Sequence, residues 1–126
     1  MNREKDTKYA KMIIIDGLLK TIYQPLDSLD LSIAREMVQD RLHFIEGVAF
    51  PSLFDVRGVQ SISKEARDYM ADEGNELVIA SALVINSAVL RMMGNFFISV
   101  NQPKKPTQIF TAEEKAVHWL NGYRNQ

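Results

Sequence analysis

Six polar residues stand just beyond two apolar runs: Arg57, Ser61 and Ser63 after the first, and Asn86, Ser87 and Arg91 after the second. A serine at a helix start can accept a hydrogen bond from a free backbone N–H of the first turn. Two such starts side by side offer unpaired N–H groups and two positive dipole ends, with arginines beside them. The chemistry this suits is recognition of an anion, either a phosphate or an acidic side chain. A plainer reading fits the same residues: the serines are ordinary caps and the arginines solvated charges, since nearly every helix needs a cap. The set predicts binding and names no catalytic residue.

Other chemistry finds little support. His43 and His118 are the only histidines, and no cluster of further ligands surrounds either. A metal site is therefore not expected, and no cofactor is implied. The chain has no cysteine, which excludes disulfides, thiolate ligands and a cysteine nucleophile. It contains no G-x-S-x-G elbow, phosphate-binding loop or G-x-G-x-x-G run. An enzyme is not expected. The net charge of −1 supplies no basic field for nucleic acid. Lys104–Lys105 is too small a cluster to argue for nucleic acid or a membrane surface. Asp68, Asp72, Glu73 and Glu76 read as a solvated acidic face. The N-terminal MNREKDTKY lacks the apolar core of a secretion signal, so the cytoplasm is the expected compartment.

The elements that must position the six residues centre on Leu77–Val100. Its uncharged part, Leu77–Leu90, falls short of the roughly 20 apolar residues of a membrane span. It divides into a strand over 77–85, buried on both faces, and a helix capped by Ser87. Helical spacing puts Val89, Met92, Met93 and Phe96 toward the sheet. Leu90, Phe97 and Val100 widen the stripe beyond one sheet contact, enough to meet a neighbouring helix or another subunit. Gly94 at mid-helix points to close packing there.

The remaining elements follow in order. Residues 1–7 are polar, and a frayed terminus is expected. Asp16–Gly17 between two β-prone runs predicts a hairpin of strands over 8–15 and 18–23. Residues 31–45 form an amphipathic helix capped by Asp30 or Ser32, with Gly47 past its end. A strand over 50–56 holds Pro51, which belongs near its start or at an edge. Ser63 caps a helix that stops at Gly74. A short strand spans 107–110. Thr111 and Glu114 form the capping box of a last helix burying Ala116, Val117, Trp119 and Leu120, and 123–126 tail off. The order β-β-α-β-α-β-α-β-α predicts one α/β domain over 1–126, a hairpin followed by a mainly parallel, helix-covered sheet.

Pro106-Thr107-Gln108-Ile109-Phe110, followed by Ala116 and Trp119-Leu120, resembles the P-x-x-x-F … A-x-x-W-L ending of small bacterial SpoIIAA-like proteins. Phe54-Asp55-Val56-Arg57-Gly58-Val59 is similar to the strand and loop that precede the second helix of that fold. The likeness covers nearly the whole chain and implies the SpoIIAA-like, or STAS, α/β fold. It also implies a non-enzymatic module that binds a protein partner at the strand-end rim, or pairs as a homodimer. Lipid-transfer domains use a related fold, so a small ligand or lipid under the Met92/Phe96 helix is the alternative. Family antagonists carry a phosphorylatable Ser or Thr in an Asp-Ser-Ser/Thr-Gly setting. Here the segment reads Ser61-Ile62-Ser63-Lys64-Glu65-Ala66, with Glu65 in the place of the phosphosite. The resemblance thus implies the fold and not phosphorylation control.

Overall fold

Asp16 and Gly17 both adopt positive φ, 51° and 79°, the geometry a two-residue hairpin turn demands. They join strand β2 (Ala10–Ile15) to β3 (Leu18–Tyr23). The structure, a computed structural model, describes residues 2–124. A strand β1 (Arg3–Asp6) pairs antiparallel with β2, where a frayed terminus is expected from the sequence. Its side chains are mostly exposed, so the sequence carries no apolar alternation to reveal it. Arg3 fixes it by donating from Nη2 to the carbonyl of Phe44 at 2.9 Å and lying over the Phe44 ring. Met1 lies outside the described residues, as do 125 and 126 of the expected C-terminal tail.

The chain continues through α1 (Leu31–Ile45), β4 (Phe50–Asp55), α2 (Lys64–Ala71), β5 (Val78–Val84), α3 (Ala88–Phe96), β6 (Thr107–Phe110) and α4 (Glu113–Asn121). The six strands lie in sequence order, antiparallel through β3 and parallel from β3 to β6. Each parallel connection steps to the next strand in one direction. Right-handed crossovers therefore set α1, α2 and α3 on the same face. Ala34 and Met37 of α1 share a core cluster with Ala66 of α2, Phe54 and Val78. α4 covers the other face, where Ala116 and Leu120 pack on Leu53, Ala80, Ala82 and Val84. Each large apolar side chain sealed this way contributes roughly 1.5–3 kcal/mol. This is the α/β architecture expected from the element order, a hairpin followed by a mainly parallel, helix-covered sheet, with one strand more at the edge.

Pro51 is the second residue of β4, near its start as expected, and a register irregularity between Phe50 and Pro51 tolerates a residue without an N–H. Several local expectations shift. α2 ends at Ala71, and Gly74 lies in a short 3-10 turn over Glu73–Asn75. α4 starts from Ala112, which makes no side-chain cap, so Thr111 and Glu114 form no capping box. Arg41 of α1 is buried and donates to the carbonyls of Glu76 (2.9 Å) and Gly74 (3.1 Å). It thereby ties α1 to the link that feeds β5. Burial pulls its pKa down, opposed chiefly by Tyr23 and Glu76.

The largest correction concerns α3. Leu90 is 8% exposed, whereas Val89 (56%), Met92 (66%), Phe96 (45%) and Val100 (58%) face solvent. The inward side is Leu90, Gly94 and Phe97, together with Met93, which faces in as expected. Apart from the exposed Arg91 and Asn95 the helix is apolar, so either side could serve, and close contact at Gly94 decides which goes in. A Cβ there would lie 2.7 Å from Ile109 Cδ1. Any larger residue would force the Ile109 side chain to move while α3 stays this near β6. Beyond Phe96 the chain runs through a π-helical turn over Phe97–Asn101, then reverses at Gln102, φ 51°.

Candidate functional site

The strand-end residues separate into two groups. Asp55, the last residue of β4, is buried, and Arg57 folds back onto it. Nε donates at 2.9 Å and Nη2 at 2.7 Å to its two carboxylate oxygens. Lys20 reaches the same region and donates to Glu113 of α4 at 2.7 Å. Burial alone would raise the Asp55 pKa, but the Arg57 hydrogen bonds and charge carry it below the ordinary carboxylate range. Arg57 is raised in turn by Asp55. Arg57 therefore belongs to a charged cluster with Lys20, Asp55 and Glu113, on the side of the sheet that α4 covers.

Ser61 and Ser63 lie on the opposite side, in a loop that pairs with Leu26–Leu29 through two isolated parallel bridges. The Ser61 hydroxyl donates to the carbonyl of Asp27 at 2.8 Å. Ser63 caps α2 by accepting from Ala66 N at 3.1 Å, and Ser87 caps α3 by accepting from Leu90 N at 3.1 Å. Asn86 and Arg91 are exposed and make no side-chain hydrogen bond or ion pair with a described residue. Both helices thus begin as the sequence predicts. Each serine oxygen is engaged in its own helix or loop, and Arg57 is engaged with Asp55.

What the topology builds beside these caps is an apolar cavity of about 100 Å³ beneath α3. Its floor is Leu83 of β5 and Ile85 just beyond it, with Tyr23 of β3. α2 supplies Arg67 and Met70, and α3 and the turn after it line it with Leu90, Met93, Gly94 and Phe97. Tyr23 is buried at the back, and burial pushes its phenol up to about 12, with Arg41 opposing. The phenol is neutral at physiological pH.

Sequence reasoning missed Tyr23 and Arg67 and, of the inward set of α3, turned only Met93 toward the sheet. Arg67 carried a usable signal, since it lies one turn before Met70 and next to Ala66, on the inward flank of α2. Met92 and Phe96, chosen from the sequence as the lid of a pocket, are one residue out of phase with the side chains that line it.

A six-stranded mixed sheet with three helices on one face and one on the other defines the SpoIIAA-like class of α/β fold. The same fold occurs in the crystal structure of an uncharacterized protein from the DUF3478 family of Shewanella loihica PV-4, described as SpoIIAA-like. The two are 12% identical, with a TM-score of 0.58, and the match covers 95% of this chain and 92% of that one. This chain itself belongs to a family described as a domain of unknown function, DUF7793, whose model matches residues 12–124. No curated protein matches it.

Among the described residues, no helix is long and apolar enough to cross a membrane, and no group of three or more His, Cys, Asp or Glu could hold a metal ion.

Proposed function

We propose that the protein is a non-catalytic binder of a small apolar ligand, held in the cavity beneath α3. The observation that carries this reading is the cavity itself, walled by Leu83, Ile85, Leu90, Met93 and Phe97. An apolar lining of this kind suits hydrocarbon. Met93 supplies a flexible, polarisable wall that adapts to shape. The lid is a short helix between two breaks, Asn86–Ser87 before it and the Gln102 reversal after it. A titration with hexan-1-ol followed by methyl NMR tests the proposal. Saturable shifts at Leu83, Leu90 and Met93 are expected, and Leu83→Phe, which fills the space, abolishes them. Shifts scattered over the surface, or none, would sink it.

A second reading, a module that binds a protein partner or a second copy of itself, draws on a different observation. Val89, Met92, Phe96 and Val100 form an exposed apolar row along the outside of α3, next to Asn86 and Arg91. Burial of such a row on a partner is favourable. Native mass spectrometry over a range of protein concentrations separates the two readings. A dimer that Met92→Asp dissolves supports the second, and a monomer throughout removes the homodimer.

A further inference from the structure

We propose that the exposed row on α3 is a homodimer interface, on which a second copy of this chain packs its own α3 antiparallel. The proposal rests on the second reading above and names the partner and its orientation.

The row consists of Val89, Met92, Phe96 and Val100, which are 56%, 66%, 45% and 58% exposed. Residues three and four apart share one side of a helix, and this spacing links each member to the next. Val100 stands in the π-helical turn just past α3 and extends the row. Phe96 is already held in place, because the Arg67 guanidinium carbon lies 5.0 Å from the centroid of its ring. An anchor fixed in the free chain loses little freedom on binding.

A twofold interface brings one patch against itself, so the patch must complement its own image. This row still matches when it is run in reverse. Val89 falls opposite Val100 of the second copy, and Met92 opposite its Phe96, with both pairs centred at the level of Gly94. Two valines meet at each end. Two thioether–ring contacts form in the middle, a pairing that methionine favours.

Charge selects the antiparallel sense. Asp68 accepts from Asn101 Nδ2 at 2.6 Å, so a carboxylate stands at the Val100 end of the row. The Val89 end is the N-terminus of α3, capped by Ser87 and made positive by the helix dipole. Antiparallel packing sets each carboxylate at the positive end of the other helix. Parallel packing instead brings the two Arg67 guanidiniums together over paired Phe96 rings, and sets Asp68 against Asp68. Like charges so placed are costly. An unrelated protein would place no demand on the row to match its own reversal. Four side chains per copy make a contact smaller than the roughly 1,200–2,000 Å² of a standard interface, so the dimer is reversible and grows with concentration.

The chain contains no cysteine, so introduced thiols report pairing without background. Val89→Cys and Val100→Cys change exposed positions and leave the fold intact. They are oxidised separately and as an equal mixture. The mixture is expected to form a linked heterodimer roughly tenfold or more faster than either variant links to itself, because antiparallel packing raises the effective concentration of that pair alone. Sedimentation velocity of the full chain over rising concentration is expected to show a monomer–dimer equilibrium, which Met92→Asp shifts to monomer. Faster self-linking of each variant overturns the antiparallel arrangement and leaves the homodimer standing. A monomer at every concentration, with no preferred linking, overturns the second copy as partner and leaves the row to a different protein. A dimer that Met92→Asp does not weaken lies elsewhere on the molecule and overturns both.

Discussion

Gly94 of α3 stands over Ile109 of β6, so close that a Cβ at residue 94 would meet the isoleucine Cδ1 at 2.7 Å. The atom in the way is the far end of a flexible side chain, so the pair can be tuned. Gly94→Val is expected to destabilise the fold by about 1–3 kcal/mol through overpacking. Ile109→Ala should lower that penalty in the double variant, because it empties the space the new side chain needs. Urea denaturation of the two single variants and the double variant measures the coupling. Strict additivity would mean that α3 does not rest on β6 through this contact.

The two sides of α3 should respond very differently to truncation. Leu90 is buried at the cavity wall, and Leu90→Ala is expected to cost about 2–3 kcal/mol, at the low end because the cavity already lies beside it. Met92 projects into solvent, so Met92→Ala should change stability by less than about 0.5 kcal/mol. Thermal or urea unfolding decides. A reversed order would restore the orientation that the sequence alone suggests.

Tyr23 makes alkaline pH a probe of the core. Its folded-state pKa, about 12, lies above the ordinary value of 10.0 because burial disfavours the phenolate. The folded state therefore holds this proton after the unfolded chain has lost it. The associated stability is complete below pH 10 and is lost as pH rises from about 10 through about 12, on the order of 2 kcal/mol in all. Tyr23→Phe should unfold with a shallower alkaline limb than the wild type. Ultraviolet titration of tyrosinate should show one of the four tyrosines ionising last. All four titrating together in the folded protein would contradict the buried placement.

Asp55 and Arg57 give the opposite pH signature. The Asp55 pKa is depressed, so the pair stabilises the fold above the unfolded-state value near 4, and the effect disappears as pH falls through the lower folded value. The Arg57 side chain is 42% exposed, so solvent screening limits the contribution to about 1 kcal/mol or less. Arg57→Gln should show that deficit at pH 7 and converge with the wild type in acid. A gap that persists well below pH 3 would mean that the arginine acts through packing rather than charge.

Much of the fold could be read before any coordinates, because the signals were local. Asp16–Gly17 required two positive φ angles, and a hairpin supplies them. Asp30, Ser63 and Ser87 preceded periodic apolar segments, and each accepts the expected backbone hydrogen bond. The alternation of strand and helix after the hairpin left a parallel sheet as the natural arrangement. The polar β1 was not legible, since an exposed edge strand shows no periodicity and is held by long-range contacts such as that of Arg3 with Phe44.

The candidate site was less legible, and α3 shows why. Val89, Met92, Met93 and Phe96 repeat at i, i+3, i+4 and i+7, and so do Leu90, Met93, Gly94 and Phe97. Both sets satisfy the same helical period, so hydrophobic pattern alone has no basis for choosing between them. The choice is made by the fit of Gly94 against Ile109, a contact between residues on different elements. The fate of the arginines is likewise tertiary: Arg57 turns to Asp55 at the α4 side, and Arg67 lines the cavity on the other. By itself the sequence determined the elements, their caps and their order, which depend on neighbours along the chain. The cavity and the inward side of its lid were decided only when the sheet and helices packed, because each depends on distances between segments far apart in sequence.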